Sequence, residues 1–513
     1  MINVLNDLLE YNATHYGDKV AVIDNDVAYT YREIFEMVVR LSSYLKDKSV
    51  NRYDRIGIAM HNCIEHIVSI FAIARVGAIF VSIHPGLTKH QVIHIIENCS
   101  LKYLISLKSD KPRCLDGIPE SSILKFEDSE STVIPGLTTS DVCITDRDVA
   151  SIIYTSGSTG KPKGIMITHD NLIAGTKSVS SYLSLSDKDR VLSILPFNFD
   201  YGLNQLLTCF YVNATLIIKY PFTMYEIPYL LHHYEITGLA GIPAIWTQIV
   251  QQRNIRNYNY DKLRYITNSG GSLSSNTIDL LSSIFSQTDI YLMYGLTEAF
   301  RSTYLDPKEF LRKKGSIGKA IPNAEVMVIN EEGVLCKPYE IGELVTRGAM
   351  VTLGYWGDRD ATEKVYRPNP IMPPEIGEKD IVVFSGDLGF YDEEGFLYFV
   401  GRKNLMIKRK GYRISPSEIE EVLYKINGIE ECAVFGIKDE TEEEMIVVCI
   451  RLSEKDIDKE LLYTKINETC IEYLPSYMHP DRIFLLDEFP RTASGKIDIP
   501  KLKAMYEGKS SDK

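Results

Sequence analysis

The sequence predicts an α/β protein: a large N-terminal α/β domain of layered sheets with more than one subdomain, then a small α+β domain. Three observations predict it. A chain of 513 residues exceeds what one ordinary core can organise. From residue 1 to about residue 400, helical patterns alternate with short β-branched runs, the signature of layered α/β architecture. Near residue 400 the pattern restarts with a fresh helix and two strand-like runs, so the last hundred residues read as a separate unit.

The elements follow in order. Thr30 and Glu33 form a capping box, and Ile34, Val38, Leu41 and Leu45 recur at helical spacing behind it. Residues 67–83 are the nearest thing to a membrane span, but Arg75 sits in their middle and Pro85-Gly86 closes them. A buried helix followed by a strand fits better than a span. Residues 191–195, 215–218 and 264–267 are apolar runs of strand length, and residues 381–384 form another. Residues 394–402 resemble a hairpin arm ending in a turn. Beyond it, Ser415 and Glu418 make a possible capping box with Pro416 at the first helical position, and Ile419, Val422, Leu423 and Ile426 form one apolar stripe. Strands are expected at 431–436 and 444–451. These patterns divide the chain into an N-terminal domain of residues 1–401, a boundary at 402–405 and a C-terminal domain of residues 406–513, whose tail from Glu507 to Lys513 reads as disordered.

Composition narrows the function classes. With 45% hydrophobic and 24% charged residues the chain is globular, and a net charge of −13 argues against a general nucleic-acid binder. Nine cysteines occur singly, with no CxxC pair, and read as reduced core thiols of a cytoplasmic protein. The start, Met1-Ile2-Asn3-Val4, shows no basic segment followed by an apolar one, so no secretory signal is expected.

The most informative stretch is Thr155-Ser156-Gly157-Ser158-Thr159-Gly160-Lys161-Pro162-Lys163-Gly164, which follows an apolar run. Glycines let backbone N–H groups turn toward an anion, hydroxyls add donors, and lysine adds charge. GxxxxGK[ST] cannot be laid over it, so the strand–loop–helix of a Walker P-loop is disfavoured. On composition alone a solvated linker remains open.

The whole string from Tyr154 to Gly164 resembles the signature loop of the adenylate-forming superfamily, which includes acyl-CoA synthetases, nonribosomal peptide adenylation domains and firefly luciferase. The resemblance continues at separated places. Tyr294-Gly295-Leu296-Thr297-Glu298 is similar to the family's YGxTE element, Ser385-Gly386-Asp387-Leu388-Gly389 to its TGDL element, Gly401-Arg402-Lys403-Asn404 to its hinge segment, and Pro490 to Ile497 to its closing lysine motif. Asn404 departs from the Asp or Lys that many relatives carry at the hinge.

The resemblance implies site roles. Thr155, Ser156, Gly157, Ser158, Thr159 and Lys163 would hold the phosphates of ATP, with Gly295 beside them. Tyr294 would offer a π-face to adenine, Thr297 a hydroxyl to phosphate or carboxylate, and Glu298 an oxygen ligand to Mg²⁺. Asp387 would accept from the ribose hydroxyls, Arg402 would reach the nucleotide, and Lys496 would bridge the attacking carboxylate and the α-phosphate. Joining two anions this way needs positioning and cations rather than a protein nucleophile.

A second half-reaction is also implied. The small domain would be mobile, and rotation would bring the face bearing Lys408, Lys410 and Gly411 toward a pantetheine thiol that attacks the acyl adenylate. The basic run there suits the phosphates of coenzyme A or of a carrier protein's prosthetic group, and suits a solvated hairpin turn equally. The acid pocket would draw on Phe199, Asp200, Asn204, Gly270 and Gly271. Phe199-Asp200 resembles the pair of amino-acid-activating domains whose aspartate meets the substrate ammonium, whereas residues 239–244 and 414–416 look more like acyl-CoA synthetases. The expectation is an enzyme that loads a small acid, amino or simple, onto a carrier protein. The alternative is a synthetase for fatty or aryl acids using free coenzyme A, with a luciferase-like oxidation as a remote third. A nonenzymatic nucleotide-binding module would be expected to lose Lys496 or Glu298, and both are present.

Overall fold

Parallel strands buried on both faces carry the large domain. The computed structural model describes residues 2–108, 112–131, 142–155, 162–403, 405–409, 412–438, 444–453, 459–492 and 495–506. Within them, strands Val20–Asp24, Thr215–Ile218, Arg190–Ser193, Gly238–Gly241, Tyr265–Asn268 and Asp289–Tyr294 lie side by side in that spatial order, each pair parallel. Past Asp289–Tyr294 the same sheet turns antiparallel and grows to 14 strands. A second sheet of six strands ends in an antiparallel hairpin, Val149–Thr155 with Lys163–Thr168.

The residues explain this arrangement. Thr215–Ile218, Gly238–Gly241, Tyr265–Asn268 and Ile79–Ser82 are buried at every position, as continuous apolar runs are when helices cover both faces. The Thr30 hydroxyl accepts from the Glu33 N–H at 3.3 Å and the Thr30 N–H donates to Glu33 Oε2 at 2.7 Å, so the capping box forms and starts the helix Tyr31–Asp47. Its stripe Ile34, Val38, Leu41 and Leu45 is fully buried. The apolar stretch near residue 70 folds as helix Ile64–Arg75 and strand Ile79–Ser82, with Arg75 ion-paired to Glu10. Among the described residues no helix is long and apolar enough to cross a membrane.

Three expectations shift. The strands near 191–195 and 264–267 are observed as Arg190–Ser193 and Tyr265–Asn268, a residue or two displaced. The strand expected to end at Phe384 runs on from Ile381 to Tyr391, because Gly386 at φ +73° allows the chain to bulge opposite Leu344 and resume pairing at Leu388. Of the nine free cysteines, Cys63 is half-buried and Cys143 exposed, while the rest are core.

The small domain is built on strands Ile429–Lys438, Glu444–Leu452 and Arg482–Leu485. Alternation assigns its two faces. Cys432, Val434, Ile446, Val448 and Ile450 pack with Ile419, Leu423, Leu462 and Ile466 on one side, while Ala433, Phe435, Ile437, Val447 and Cys449 pack with Leu502 and Tyr506 on the other. Pro416 opens the helix Pro416–Leu423 as expected, but the capping box does not form. The Ser415 hydroxyl turns instead to the Val400 carbonyl, which ties the helix start to the last strand of the large domain. The tail 507–513 lies outside the described residues.

Candidate active site

Four stretches singled out in the sequence follow the carboxyl ends of neighbouring parallel strands. Residues 195–204 follow Arg190–Ser193, residues 242–243 follow Gly238–Gly241, residues 269–272 follow Tyr265–Asn268, and residues 295–298 follow Asp289–Tyr294. Strand ends leave backbone groups unpaired and loops free to vary, which is why open α/β sheets bind ligands there. One edge of the sheet therefore gathers segments 100 residues apart into a single cleft.

The phosphate-loop segment closes the hairpin between Thr155 and Lys163, which pair across it. This agrees with a strand–loop–strand rather than a Walker geometry. Ser156, Gly157, Ser158 and Thr159 lie outside the described residues. Lys163 places its ammonium 5.0 Å over the Tyr355 ring, and the Tyr355 hydroxyl donates to Glu298 Oε1 at 2.7 Å. Through Tyr355, which no sequence signal marked, the hairpin reaches the Thr297–Glu298 turn. Thr297 is buried there, and Thr352 donates to the Glu298 carbonyl from both its N–H and its hydroxyl, at 3.0 Å each.

On the opposite side Asp387 faces Arg402 across two paired strands. The Tyr294 hydroxyl donates to Asp387 Oδ2 at 2.7 Å, and Arg402 Nε lies 3.1 Å from Oδ1 as an ion pair without hydrogen-bond alignment. Oδ1 is buried and has no hydrogen-bond donor among the described residues. Burial pushes the Asp387 carboxyl above its ordinary value, opposed by Arg402, the Tyr294 hydroxyl and Lys496. Tyr294 thus aims the aspartate besides presenting a ring. Gly295 approaches the Arg301 backbone closely enough that a Cβ would stand 3.2 Å from its Cα.

Lys496 enters from the small domain. A Cβ on Gly270, which has φ +83°, would stand 3.2 Å from Lys496 Cε, so the lysine lies along that glycine. Gly495, at φ +81°, makes the turn that delivers it. Its surface remains open to the cleft, but protein surrounds the ammonium closely. That crowding lowers its pKa first, Arg402 adds repulsion, and the carboxylates of Asp200, Asp387 and Glu298 pull the other way. Gly271 packs on Pro243 and accepts from Asn268 Nδ2 at 2.9 Å.

Asp200 meets a partner that the sequence reading did not mark. Its Oδ2 pairs with Arg301 Nη1 at 3.2 Å, both side chains almost wholly buried, so the charge a substrate ammonium was to meet is already met from within. Arg301 was missed, although a lone charge three positions past Glu298 was a visible signal. Phe199 is half-buried against Tyr201, and Asn204 is buried one turn beyond Asp200 on the same helix, Asp200–Tyr211.

The thiol-side face is partly described. The Lys408 N–H donates to Glu444, leaving its side chain exposed, while Arg409 makes a two-pronged pair with Asp481 at 2.8 Å. Arg409 therefore offers less charge to solvent than its sequence suggested. Asn404, Lys410 and Gly411 lie outside the described residues. No group of three or more potential metal ligands occurs among the described residues, and Glu298 is the carboxylate that the resemblance assigns to Mg²⁺. One carboxylate completed by phosphate oxygens and water is an ordinary Mg²⁺ arrangement.

Known proteins resemble this chain over nearly all of its length. Residues 9–356 match the model of the AMP-binding enzyme family, and residues 418–496 that of the AMP-binding enzyme C-terminal domain. A long-chain-fatty-acid–CoA ligase of Bacillus subtilis is 26% identical over 96% of this chain and 93% of its own length. Bacitracin synthase 2 of Bacillus licheniformis is 28% identical over 97% of this chain but 18% of its own. Among solved structures, o-succinylbenzoate–CoA synthetase of Bacillus subtilis, in complex with its acyl-adenylate intermediate, superposes with a TM-score of 0.85 at 25% identity, over 97% of this chain and 98% of that one.

Proposed function

This chain belongs to the AMP-binding enzyme family, and on that premise we propose that it joins a carboxylic acid to the thiol of free coenzyme A through an acyl adenylate. It is an AMP-forming acid–thiol ligase. The single observation that carries the reading is Lys496 lying along Gly270, a cation from one domain brought among Asp200, Glu298, Asp387 and Arg402 of the cleft.

Each residue has a job in that reading. Asp387, aimed by Tyr294, accepts from the ribose hydroxyls through its undonated Oδ1, and Arg402 holds the aspartate's charge in place. Thr155 to Thr159 and Lys163 receive the phosphates. Glu298, oriented by Tyr355, holds Mg²⁺, which neutralises phosphate charge when bound. Lys496 steadies the approaching carboxylate and the α-phosphate as pyrophosphate leaves. Afterwards residues 406–513 turn about the hinge at 402–405, withdrawing Lys496 and presenting the face with Lys408, Lys410 and Gly411 to the thiol.

Free coenzyme A replaces the carrier protein as the favoured acceptor. The fatty-acid–CoA ligase aligns with this chain over nearly all of both, whereas the peptide synthetase aligns through a small part of itself. The Asp200–Arg301 pair also removes the reason for an amino-acid substrate. The test is ATP–pyrophosphate exchange over fatty, aryl and amino acids, followed by thioester formation with coenzyme A and with a holo-carrier protein. Exchange with a non-amino acid and transfer to coenzyme A are expected. Transfer to the carrier alone would overturn the acceptor, and no exchange with any acid would overturn the ligase.

A further inference from the structure

Buried around Tyr201 is a set of polar groups that the reaction does not use. Arg301 is 3% exposed, and its Nη1 donates to Asp200 Oδ2 and to the Phe300 carbonyl at 3.0 Å. Its Nε and Nη2 have no partner among the described residues. The guanidinium lies 4.6 Å over the Tyr201 ring. One turn along the same helix face, Asn204 Nδ2 is also buried and without a partner. The Tyr201 hydroxyl is spent on Thr267, and the next residue, Asn268, leaves Oδ1 without a donor.

Orphaned donors are costly inside a protein, and arginine cannot escape by losing its proton. The turn that aims Arg301 is itself strained, since Phe300 stands at φ +53°, ψ −52° with its ring against Gly175. A group held by strain with its donors unspent is arranged for a ligand.

Resting on the ligase reading above, we propose that Arg301, with Asn204, binds an uncharged oxygen acceptor on the body of the acid. The substrate class is then a hydroxy-, oxo- or amide-bearing carboxylic acid. Position supports this, because Lys496 lies along Gly270, two residues beyond Asn268 and three beyond Thr267, the partner of the Tyr201 hydroxyl. An acid whose carboxylate meets Lys496 would extend its body toward the Asp200–Arg301 pair. Charge decides the rest. Asp200 and Arg301 cancel each other, so a second carboxylate or an ammonium would enter without a counter-ion, whereas a neutral oxygen only completes hydrogen bonds. Two spare guanidinium nitrogens facing an ammonium would also set donor against donor.

The experiment compares acids matched in skeleton: pentanoate, dodecanoate and benzoate, each against its hydroxy and oxo or amide forms, its amino form and its dicarboxylate. Pyrophosphate exchange with the wild-type chain should favour one oxygenated acid over its plain counterpart by roughly 100-fold or more in kcat/KM, as sites built for a hydrogen bond do. Arg301→Met should reduce that ratio to below about tenfold with the KM for ATP unchanged. Because that change strands Asp200, the pair Asp200→Asn with Arg301→Met is measured beside it and should give the same loss. A plain, amino or dicarboxylic acid matching the best oxygenated acid in the wild type overturns the proposal, as does a preference that survives both variants. Absence of exchange with every acid overturns the ligase reading instead.

Discussion

At the scale of single residues the proposed chemistry rests on Asp387 and Lys496, and their surroundings push them in opposite directions. Burial raises the carboxyl's pKa and lowers the ammonium's. Ribose binding needs the carboxylate anionic, so affinity for ATP should fall as pH drops through a value above that of an ordinary aspartate. Adenylation needs the ammonium charged, so kcat should fall as pH rises through a value below that of an ordinary lysine. A pH profile of kcat/KM for ATP and of kcat, measured by exchange, checks both limbs, and an alkaline limb at the ordinary lysine position would contradict the second. Asp387→Ala should raise the KM for ATP roughly 10- to 100-fold, the loss of one hydrogen bond to a charged group.

Helix Asp200–Tyr211 is the element on which the acid pocket depends. It carries Asp200, Tyr201 and Asn204, and it starts hard against the preceding loop. A Cβ at Gly202 would stand 2.2 Å from the Pro196 carbonyl oxygen and 2.6 Å from that of Leu195. Backbone cannot step aside as a flexible side chain can. Gly202→Ala should therefore cost roughly 2 kcal/mol or more of stability and shift the helix start, which thermal unfolding and the KM for the acid would register together. The neighbouring turn was legible for a different reason. Tyr294 to Glu298 packs its chemistry into five consecutive residues, so composition alone exposes it. Asp387 was legible as a residue but not as part of a strand, because the bulge at Gly386 that continues the strand has no apolar pattern.

The arrangement of the whole molecule lays Lys496 along Gly270 of the large domain, the orientation that the proposed adenylation step needs. Lys496→Ala should lower adenylation by about 100-fold or more while leaving thioester formation from preformed acyl adenylate largely intact. Single-turnover assays of the two steps check this, and equal loss of both would contradict rotation about the hinge.

The sequence by itself determined the α/β class and the order of a large and a small domain, and it singled out the loops proposed to meet ATP, because each of those depends on residues near one another in the chain. Periodicity is local, and so are glycine, hydroxyl and lysine clusters. Only the tertiary structure decided which charges meet. The Asp200–Arg301 pair spans 101 positions, Tyr294–Asp387 spans 93 and Tyr355–Glu298 spans 57. Whether Asp200 is free for a substrate ammonium depends on a partner that strand order brings across the sheet edge. Burial then makes that pairing compulsory, since a lone carboxylate cannot be left uncompensated there.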